Sequence, residues 1–263
     1  MKRIKLGLRL ECLDMPLRPA LQEASRLGAG GVQIDAVGDL APDVLTESGR
    51  KSFLALLRTL NLELTALGCP LRRGLDDAEN QQPRIEYVRK VMRLAFELGP
   101  RVVVVSAGQI PEKEDSPEAG RMRESLQDLG RFGDHQGTRL ALETGLEAGP
   151  VLAEYLSRFD CGSLGANLDP ANLLLHGFDP YEAIEALRQR IGHVHARDCR
   201  KGNASRAARE VPLGHGDIDW LRFTESLGLV EYRGWITVER EEGQQRATDV
   251  AAGLAFLKRL VHE

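Results

Sequence analysis

The segment TRLALETG at positions 138–145 is the clearest indication of the fold of this chain. Successive side chains of a strand point to opposite faces, so Ala141 and Glu143 share one face while Leu140 and Leu142 take the other. A small or polar face suits the interior of a parallel α/β barrel, and an apolar face suits its helix-covered exterior. Glu143 lies at the carboxyl end of the strand, where the catalytic residues of such barrels are found.

Three later stretches repeat this arrangement, each with one candidate metal ligand at its end. They are SLGANLDP at 163–170 with Asp169, GHVHARD at 192–198 with His195, and GWITVERE at 234–241 with Glu239. In each stretch, the residues that share the face of the candidate ligand are small or polar. Three carboxylates and one imidazole form a ligand set for a single hard or borderline divalent metal ion. The predicted metal ligands are therefore Glu143, Asp169, His195 and Glu239.

A polar residue at one strand end can simply meet water, and this is the alternative for each of the four residues taken alone. The agreement of residue type, parity and position in four strands favours the metal site over that alternative. The sequence therefore points to a metalloenzyme.

Length and strand rhythm favour one barrel over the whole chain. The chain has 263 residues, close to the roughly 250 of an eight-stranded parallel barrel, so we expect a single domain at 1–263. Short β-rich runs alternate eight times with longer amphipathic runs, which predicts a (β/α)8 TIM barrel in the α/β class. The predicted strands cover 4–10, 31–36, 62–68, 101–107, 138–144, 163–169, 192–198 and 234–240.

The segment 83–99 illustrates the predicted helices. Pro83 is expected to start this helix and Gly99 to stop it. The residues expected on one side of it are Ile85, Val88, Met92 and Phe96. Long connections at 69–82, 107–117 and 199–219 are predicted as loops on the metal-bearing face, where they would form the walls of a substrate pocket.

Composition excludes several classes of partner. The chain is 42% hydrophobic and 28% charged with a formal net charge of −4, so it lacks the basic excess of a nucleic-acid-binding protein. We find no apolar run of membrane-span length and no signal-peptide core, so we expect a cytoplasmic protein without a membrane partner. The oligomeric state stays open and includes a homo-oligomer. No CxxC spacing occurs, which predicts free thiols at Cys12, Cys69, Cys161 and Cys199.

At these motifs the chain resembles the xylose isomerase-like TIM barrel superfamily, in particular its sugar (phosphate) isomerase and epimerase branch. The matching pieces are LALETG, ANLDPANLL, GHVHARD, VPLGHGDIDW and ITVERE, all in the second half of the chain. The first half matches only in strand rhythm and in the phrase GAGGVQID. The resemblance implies one catalytic divalent ion, Mn²⁺, Mg²⁺, Co²⁺ or Zn²⁺, on the four predicted ligands, and a small carbohydrate substrate.

The resemblance also implies that Glu143 and Glu239 act as acid and base on opposite sides of the bound sugar. A metal that holds a ketose through its carbonyl and adjacent hydroxyl oxygens acidifies the intervening C–H and stabilises the resulting enediolate. Returning the proton to the other face of the same carbon epimerises the substrate, and returning it to the neighbouring carbon isomerises it. The implied activity is isomerisation or epimerisation of a small sugar, keto-sugar or sugar phosphate.

Six further residues are candidates for substrate binding. Asn172 and Gln33 stand where many relatives carry a histidine and a glutamate. Lys201 lies in a stretch where some relatives use an arginine, and His215 lies in a loop where a glutamate is frequent. His193 shares the strand face of His195, and its alternative is a buried histidine with one hydrogen bond.

Arg72 follows the third predicted strand, where it could bind a phosphate or carboxylate group of the substrate. A solvated surface arginine is its alternative, and a turn residue facing water is the alternative for His215.

Three rival functions remain. A carbon–oxygen lyase resembling keto-inositol dehydratases would use the same metal site and the same first proton abstraction, and sequence motifs do not separate it from an isomerase. A multinuclear zinc endonuclease on this barrel is disfavoured because the chain has no histidine before His135. A non-catalytic barrel would be expected to lack one or more ligands, whereas all four are present.

Overall fold

Eight parallel strands close into one barrel in the computed structural model, which describes residues 4–202 and 206–262. The described residues form ten strands, of which β8 and β9 lie outside the barrel. They are β1 (Lys5–Arg9), β2 (Gly31–Asp35), β3 (Glu63–Gly68), β4 (Val102–Val105), β5 (Arg139–Glu143), β6 (Leu164–Leu168), β7 (Ile191–Ala196), β8 (Asp198–Arg200), β9 (Arg209–Val211) and β10 (Trp235–Val238). Around the barrel the order is β1, β10, β7, β6, β5, β4, β3, β2. The predicted TIM barrel is confirmed, and each predicted barrel strand matches an observed one to within two residues at either end.

Helices cover the outside of the barrel. They are α1 (Leu17–Arg26), α2 (Glu47–Thr59), α3 (Gln81–Leu98), α4 (Pro117–Gln136), α5 (Gly149–Ser157), α6 (Pro170–Leu175), α7 (Pro180–Leu187), α8 (Trp220–Leu229) and α9 (Arg246–His262). The main core lies between helices and strands, where outward-facing residues such as Leu8, Leu140 and Val194 are fully buried. The four cysteines are free and buried. No helix in the described part of the chain is long and apolar enough to cross a membrane.

Helix α3 differs from its prediction at two points. It begins at Gln81, and Pro83 is its third residue, where the missing N–H has no intrahelical partner to lose. Phe96 was expected on the same side of the helix as the buried Ile85, Val88 and Met92 but is 39% exposed, with the Arg101 guanidinium 4.9 Å from its ring centre. Phe96 falls at the edge of a buried stripe that also contains Val91 and Ala95. Gly99 ends the helix with a φ of +103°, a conformation that favours glycine.

The connection predicted as a loop at 199–219 contains an antiparallel hairpin of β8 and β9. Each of its strands is only three residues long, too short for the alternation of side chains to be recognised in the sequence. Residues 203–205, which separate the two strands, lie outside the described residues. The hairpin lies at the carboxyl end of β7, on the same side of the barrel as the predicted metal ligands.

The inside of the barrel is filled by small and polar side chains. Ala66, Val104 and Ala141 form an apolar cluster separate from the main core. A Cβ atom at Gly31 would lie 2.9 Å from Cγ2 of Thr65, so only glycine lets these two strands approach as they do. This tight packing supports the polar groups above it at the carboxyl ends of the strands.

Candidate metal centre

The four predicted metal ligands meet at the carboxyl ends of neighbouring strands. Glu143 ends β5, Asp169 directly follows β6, His195 is the fifth residue of β7, and Glu239 directly follows β10. One donor atom of each lies within 4.8 Å of the donor atoms of the other three. Because β5, β6, β7 and β10 are adjacent in the barrel, the cluster occupies one sector of its mouth.

The ring of His195 is oriented by partners on both of its nitrogen atoms. Its Nε2 lies 2.8 Å from Oε1 of Gln33, and Asn167 Nδ2 lies 3.0 Å from its Nδ1. The Gln33 acceptor assigns a proton to Nε2, so Nδ1 is the ring nitrogen that can bind a metal ion once it has lost its own proton. The same Nδ1 lies 2.7 Å from Oε2 of Glu239 and 3.5 Å from Oε1 of Glu143. Nδ1 therefore faces the carboxylates with which it would share a metal ion.

Asp169 is fully buried and is fixed by three contacts. It is the N-cap of α6, where its Oδ1 accepts a hydrogen bond of 2.8 Å from the backbone N–H of Asn172. Its Oδ2 lies 3.0 Å from the Arg197 guanidinium, and its own N–H donates to Oγ1 of Thr144 at 2.9 Å. Burial raises the pKa of Asp169, and the charge of Arg197 opposes this rise. The carboxylate is thus locked in one orientation.

Glu239 is buried but strongly ionised. Burial alone would raise the pKa of its carboxyl group, but His195 and Arg9 outweigh burial and hold that pKa below its usual range. Oε1 accepts a hydrogen bond from Arg9. Oε2 is buried, and its partner among the described residues is Nδ1 of His195 at 2.7 Å. Glu239 therefore has one oxygen held by an arginine and one available to a cation.

The donor set fits one divalent cation. Three carboxylates packed this closely repel one another, and a cation among them removes that repulsion. Oε2 of Glu239 and Nδ1 of His195 lie 2.7 Å apart, and both can bind the ion once His195 has lost its proton. The Glu143 side chain is 23% exposed and supplies a third donor that solvent can reach.

Metal binding at this cluster is expected to release about one proton at neutral pH. Burial disfavours the charged imidazolium, but Glu239 and Glu143 outweigh it and raise the pKa of His195 to about 10 in the metal-free protein. His195 is therefore protonated below that pH and must lose its proton to bind metal. We expect metal affinity to rise about tenfold per pH unit between roughly pH 7 and pH 9. Titration calorimetry in buffers of different protonation enthalpy measures the released proton, and an affinity independent of pH would contradict this origin.

Gln33 is expected to control metal affinity through His195. The Gln33 side chain is 1% exposed, and its Oε1 is the acceptor that fixes the ring. A Gln33→Leu variant should bind metal about 10- to 100-fold more weakly, because the ring loses its orienting partner. Gln33→Glu keeps an acceptor in place and is the matched control that should retain affinity. Competition against a fluorescent chelator gives both constants, and equal affinities for Gln33→Leu and the unaltered protein would refute this role.

A cavity of about 190 Å³ opens beside the cluster. Its lining residues come from β1 to β5, β7 and the segments that follow β3, β4 and β10. They are Arg9, Gln33, Asp35, Gly68, Cys69, Pro70, Leu71, Val104, Ser106, Glu143, His195 and Glu241. Two of the four ligands, Glu143 and His195, thus face this space, which makes it the candidate substrate pocket.

His193 lies one layer below His195 inside the barrel. Its Nδ1 is 2.9 Å from Oδ1 of Asn167, and its Nε2 is 3.0 Å from Oγ1 of Thr237 and 3.3 Å from Oγ1 of Thr65. Burial and the neighbouring His195 lower the pKa of His193, so it is neutral. Its contacts join β6, β7, β10 and β3 across the barrel and support the ligand layer.

The other four candidate substrate residues lie in different surroundings. Asn172 Nδ2 donates to the carbonyl oxygen of Thr144 at 2.8 Å and so braces the loop after β5. Lys201 borders a second cavity of about 550 Å³ between the β8 strand and α7. His215 and Arg72 are exposed and lie outside the lining of the 190 Å³ cavity. Gln33 and His193 therefore lie at the ligand cluster, and Asn172 lies at its edge. Lys201, His215 and Arg72 lie outside the lining of the 190 Å³ cavity.

Asp198 organises the loop that carries His215. Its Oδ2 accepts hydrogen bonds from the backbone N–H groups of Gly214 and Gly216 at 2.9 and 3.0 Å, and from Nε1 of Trp220 at 3.0 Å. With so many donors on one oxygen, this carboxylate serves the local structure of the loop.

Three charged residues at the site were missed in the sequence. Arg9 contacts Glu239, Arg197 contacts Asp169, and Glu241 contacts both arginines. Strand parity could have indicated two of them, because Arg197 and Glu241 each stand two residues after a predicted ligand. Arg9 ends β1 and carries no comparable signal in its own stretch.

Comparison with known proteins agrees with the fold. A family model described as xylose isomerase-like TIM barrel matches residues 21–260. An inosose dehydratase of Clostridium beijerinckii is 25% identical over 177 residues, covering 56% of this chain and 59% of that protein. The chain covers between 38% and 59% of the first three curated relatives that it matches.

Solved structures resemble the chain over nearly its whole length. A xylose isomerase domain protein from Planctomyces limnophilus has a TM-score of 0.85 at 25% identity, with 98% of this chain and 96% of that chain covered. A D-tagatose 3-epimerase-like protein has a TM-score of 0.79 at 21% identity, with 98% and 97% covered. The second likeness concerns the fold alone.

Proposed function

The chain belongs to the xylose isomerase-like TIM barrel family, and on that premise we propose that it is a divalent-metal-dependent isomerase or epimerase of a small sugar, keto-sugar or sugar phosphate. One observation carries the proposal: four potential ligand atoms lie within 4.8 Å of one another beside a cavity. The four residues that supply these atoms are Glu143, Asp169, His195 and Glu239.

In this proposal the two glutamates handle a proton on either side of a bound substrate. Strands β6 and β7 separate β5 from β10, so Glu143 and Glu239 reach the centre of the cluster from two directions. A divalent ion held there would polarise a carbonyl and the adjacent hydroxyl group, and would stabilise the enediolate formed when the C–H proton leaves. In this proposal one glutamate takes that proton and the other returns one.

The surroundings of the two glutamates differ, as is expected if one removes a proton from the substrate and the other returns one. Glu143 lines the cavity and its side chain is 23% exposed, so it can exchange its proton with water. The Glu239 side chain is 0% exposed and is paired with Arg9 and His195. Its lowered pKa keeps it deprotonated, which is the form that a general base requires. Asp169 and His195 remain fixed ligands in this proposal.

A carbon–oxygen lyase is the second candidate, because an inosose dehydratase matches 56% of this chain. The same glutamates would remove the same proton, and the enediolate would then expel a β-hydroxyl group as water. The two activities differ only after the first step.

Solvent-deuterium incorporation tests the proposal. Metal-loaded protein and chelated protein are incubated in D2O with ketoses, keto-inositols and their phosphates, and the products are read by NMR and mass spectrometry. Metal-dependent uptake of deuterium into an isobaric product supports the isomerase or epimerase. Loss of water with a new enone absorbance would support the lyase instead, and no exchange on any compound by metal-loaded protein would contradict both.

A further inference from the structure

Glu241 lies between two arginines at the mouth of the candidate substrate pocket. Its Oε1 is 3.5 Å from an Nη atom of Arg9, and its Oε2 is 3.1 Å from an Nη atom of Arg197. The Glu241 side chain is 49% exposed, whereas those of Arg9 and Arg197 are 21% and 7% exposed. Glu241 is therefore the solvent-facing partner of two largely buried cations.

The inner side of Arg9 faces three carboxylates. It contacts Glu239, lies 3.2 Å from Asp35 and lies 3.7 Å from Glu11. These partners are fixed by neighbouring strands and their connections. The outer contact of this guanidinium, towards the mouth of the pocket, is the one with Glu241.

Arg197 has the same division between inner and outer contacts. It lies 3.0 Å from the metal-ligand candidate Asp169 and 3.4 Å from Glu210, whose side chains are 0% and 1% exposed. Its exposed partner is Glu241. The half-exposed carboxylate of Glu241 thus lies between the two guanidinium groups. Without it, the two guanidinium groups could bind an anionic group of a ligand.

The lining of the pocket is acidic. Among the described residues that line it, Arg9 is the one lysine or arginine, whereas Asp35, Glu143 and Glu241 contribute three carboxylates. Away from the metal cluster, a substrate phosphate or carboxylate would need a cation that is not already paired, and it would meet like charges here. Hydroxyl groups can instead donate to these carboxylate oxygens without such a cost.

We propose that Glu241 is a specificity-determining residue that closes the Arg9 and Arg197 pair to anions and restricts this site to uncharged polyhydroxy substrates. The proposal rests on the proposed function, since it narrows the substrate class of the same pocket. It assigns Glu241 two effects, which are hydrogen bonding to substrate hydroxyl groups and exclusion of phosphate and carboxylate groups. Removing its charge would open an anion site formed by the two arginines.

Phosphate affinity tests this assignment without any turnover. Inorganic phosphate is titrated calorimetrically into Mg²⁺-loaded protein, unaltered or carrying Glu241→Ala, Glu241→Gln or Glu242→Gln. Glu242 is the exposed neighbour and controls for the loss of one surface charge. Glu241→Ala should bind phosphate about tenfold or more tightly than the unaltered protein. Glu241→Gln should show a smaller gain because the amide still fills the space, and Glu242→Gln should show none.

Equal phosphate affinity in the unaltered protein and both Glu241 variants would overturn the assignment, and so would an equal gain in Glu242→Gln. Phosphate directly on the metal ion would appear in all four proteins alike, so it does not mimic the expected difference. Circular dichroism verifies that each variant is folded, and Glu241→Gln decides the question if Glu241→Ala is not. Because no substrate is needed, this result is independent of whether the isomerase assay succeeds.

Discussion

A Glu239→Gln variant is expected to lose about 10²- to 10⁴-fold in turnover while it keeps its fold. The amide preserves the shape of the side chain and an oxygen that can accept the hydrogen bond from Arg9. It removes the charge that lets Glu239 accept a proton. The variant should also retain proton exchange on one substrate face, because Glu143 is untouched on the other side of the cluster.

The measurement follows exchange and conversion separately. Each member of an interconverting substrate pair is incubated in D2O with the variant, and deuterium uptake is compared with product formation. Only the member whose C–H proton faces Glu143 should exchange, without conversion, and Glu143→Gln should show the reverse preference. Metal content is measured alongside to separate loss of the base from loss of the ion. Full turnover by Glu239→Gln with metal intact would refute the role given to Glu239.

Removal of the divalent ion is expected to lower turnover by about a thousandfold or more. It should also lower the melting temperature. An ion at about 1,000 times its Kd stabilises the fold by about 4 kcal/mol, or roughly 10 °C for a chain of this size. The same ion relieves the repulsion among three carboxylates that crowd one another in the metal-free protein. Rates and melting curves are recorded after chelation and after return of Mn²⁺, Mg²⁺, Co²⁺ or Zn²⁺ separately.

Two matched aspartates control this experiment. Asp169 caps α6 and Asp179 caps α7, each by accepting hydrogen bonds from backbone N–H groups. Asparagine caps helices about as well as aspartate, so both Asp→Asn variants should fold. Asp179→Asn should keep the metal-dependent rise in melting temperature, and Asp169→Asn should lose most of it. If chelation changes neither the melting temperature nor the rate of the unaltered protein, a metal-dependent site is contradicted.

The fold and the ligand cluster could be predicted because their signals are local. Each barrel strand shows its alternation within a few residues, and each ligand stands at the end of its own strand. The parallel arrangement then brings strand ends to one edge without further information. The β8 and β9 hairpin could not be predicted in this way, because three-residue strands show no usable period.

The partners of the ligands could not be predicted because they come from distant parts of the chain. Arg9 reaches Glu239 across 230 positions, and Gln33 reaches His195 across 162. No local pattern pairs such residues, and only closure of the barrel brings them together. The same holds for Glu241, whose bridge between Arg9 and Arg197 depends on three strands lying side by side.

Anomalous diffraction from crystals grown with Mn²⁺ shows directly whether these four residues hold one metal ion. We expect one strong peak per chain, about 2.0–2.3 Å from a carboxylate oxygen of Glu143, Asp169 and Glu239 and from Nδ1 of His195. Asp169→Asn crystals grown in the same way should show a weaker peak or none. A well-ordered cluster without a peak at saturating Mn²⁺, or a peak elsewhere in the barrel, would contradict the assignment of these four residues as the metal centre.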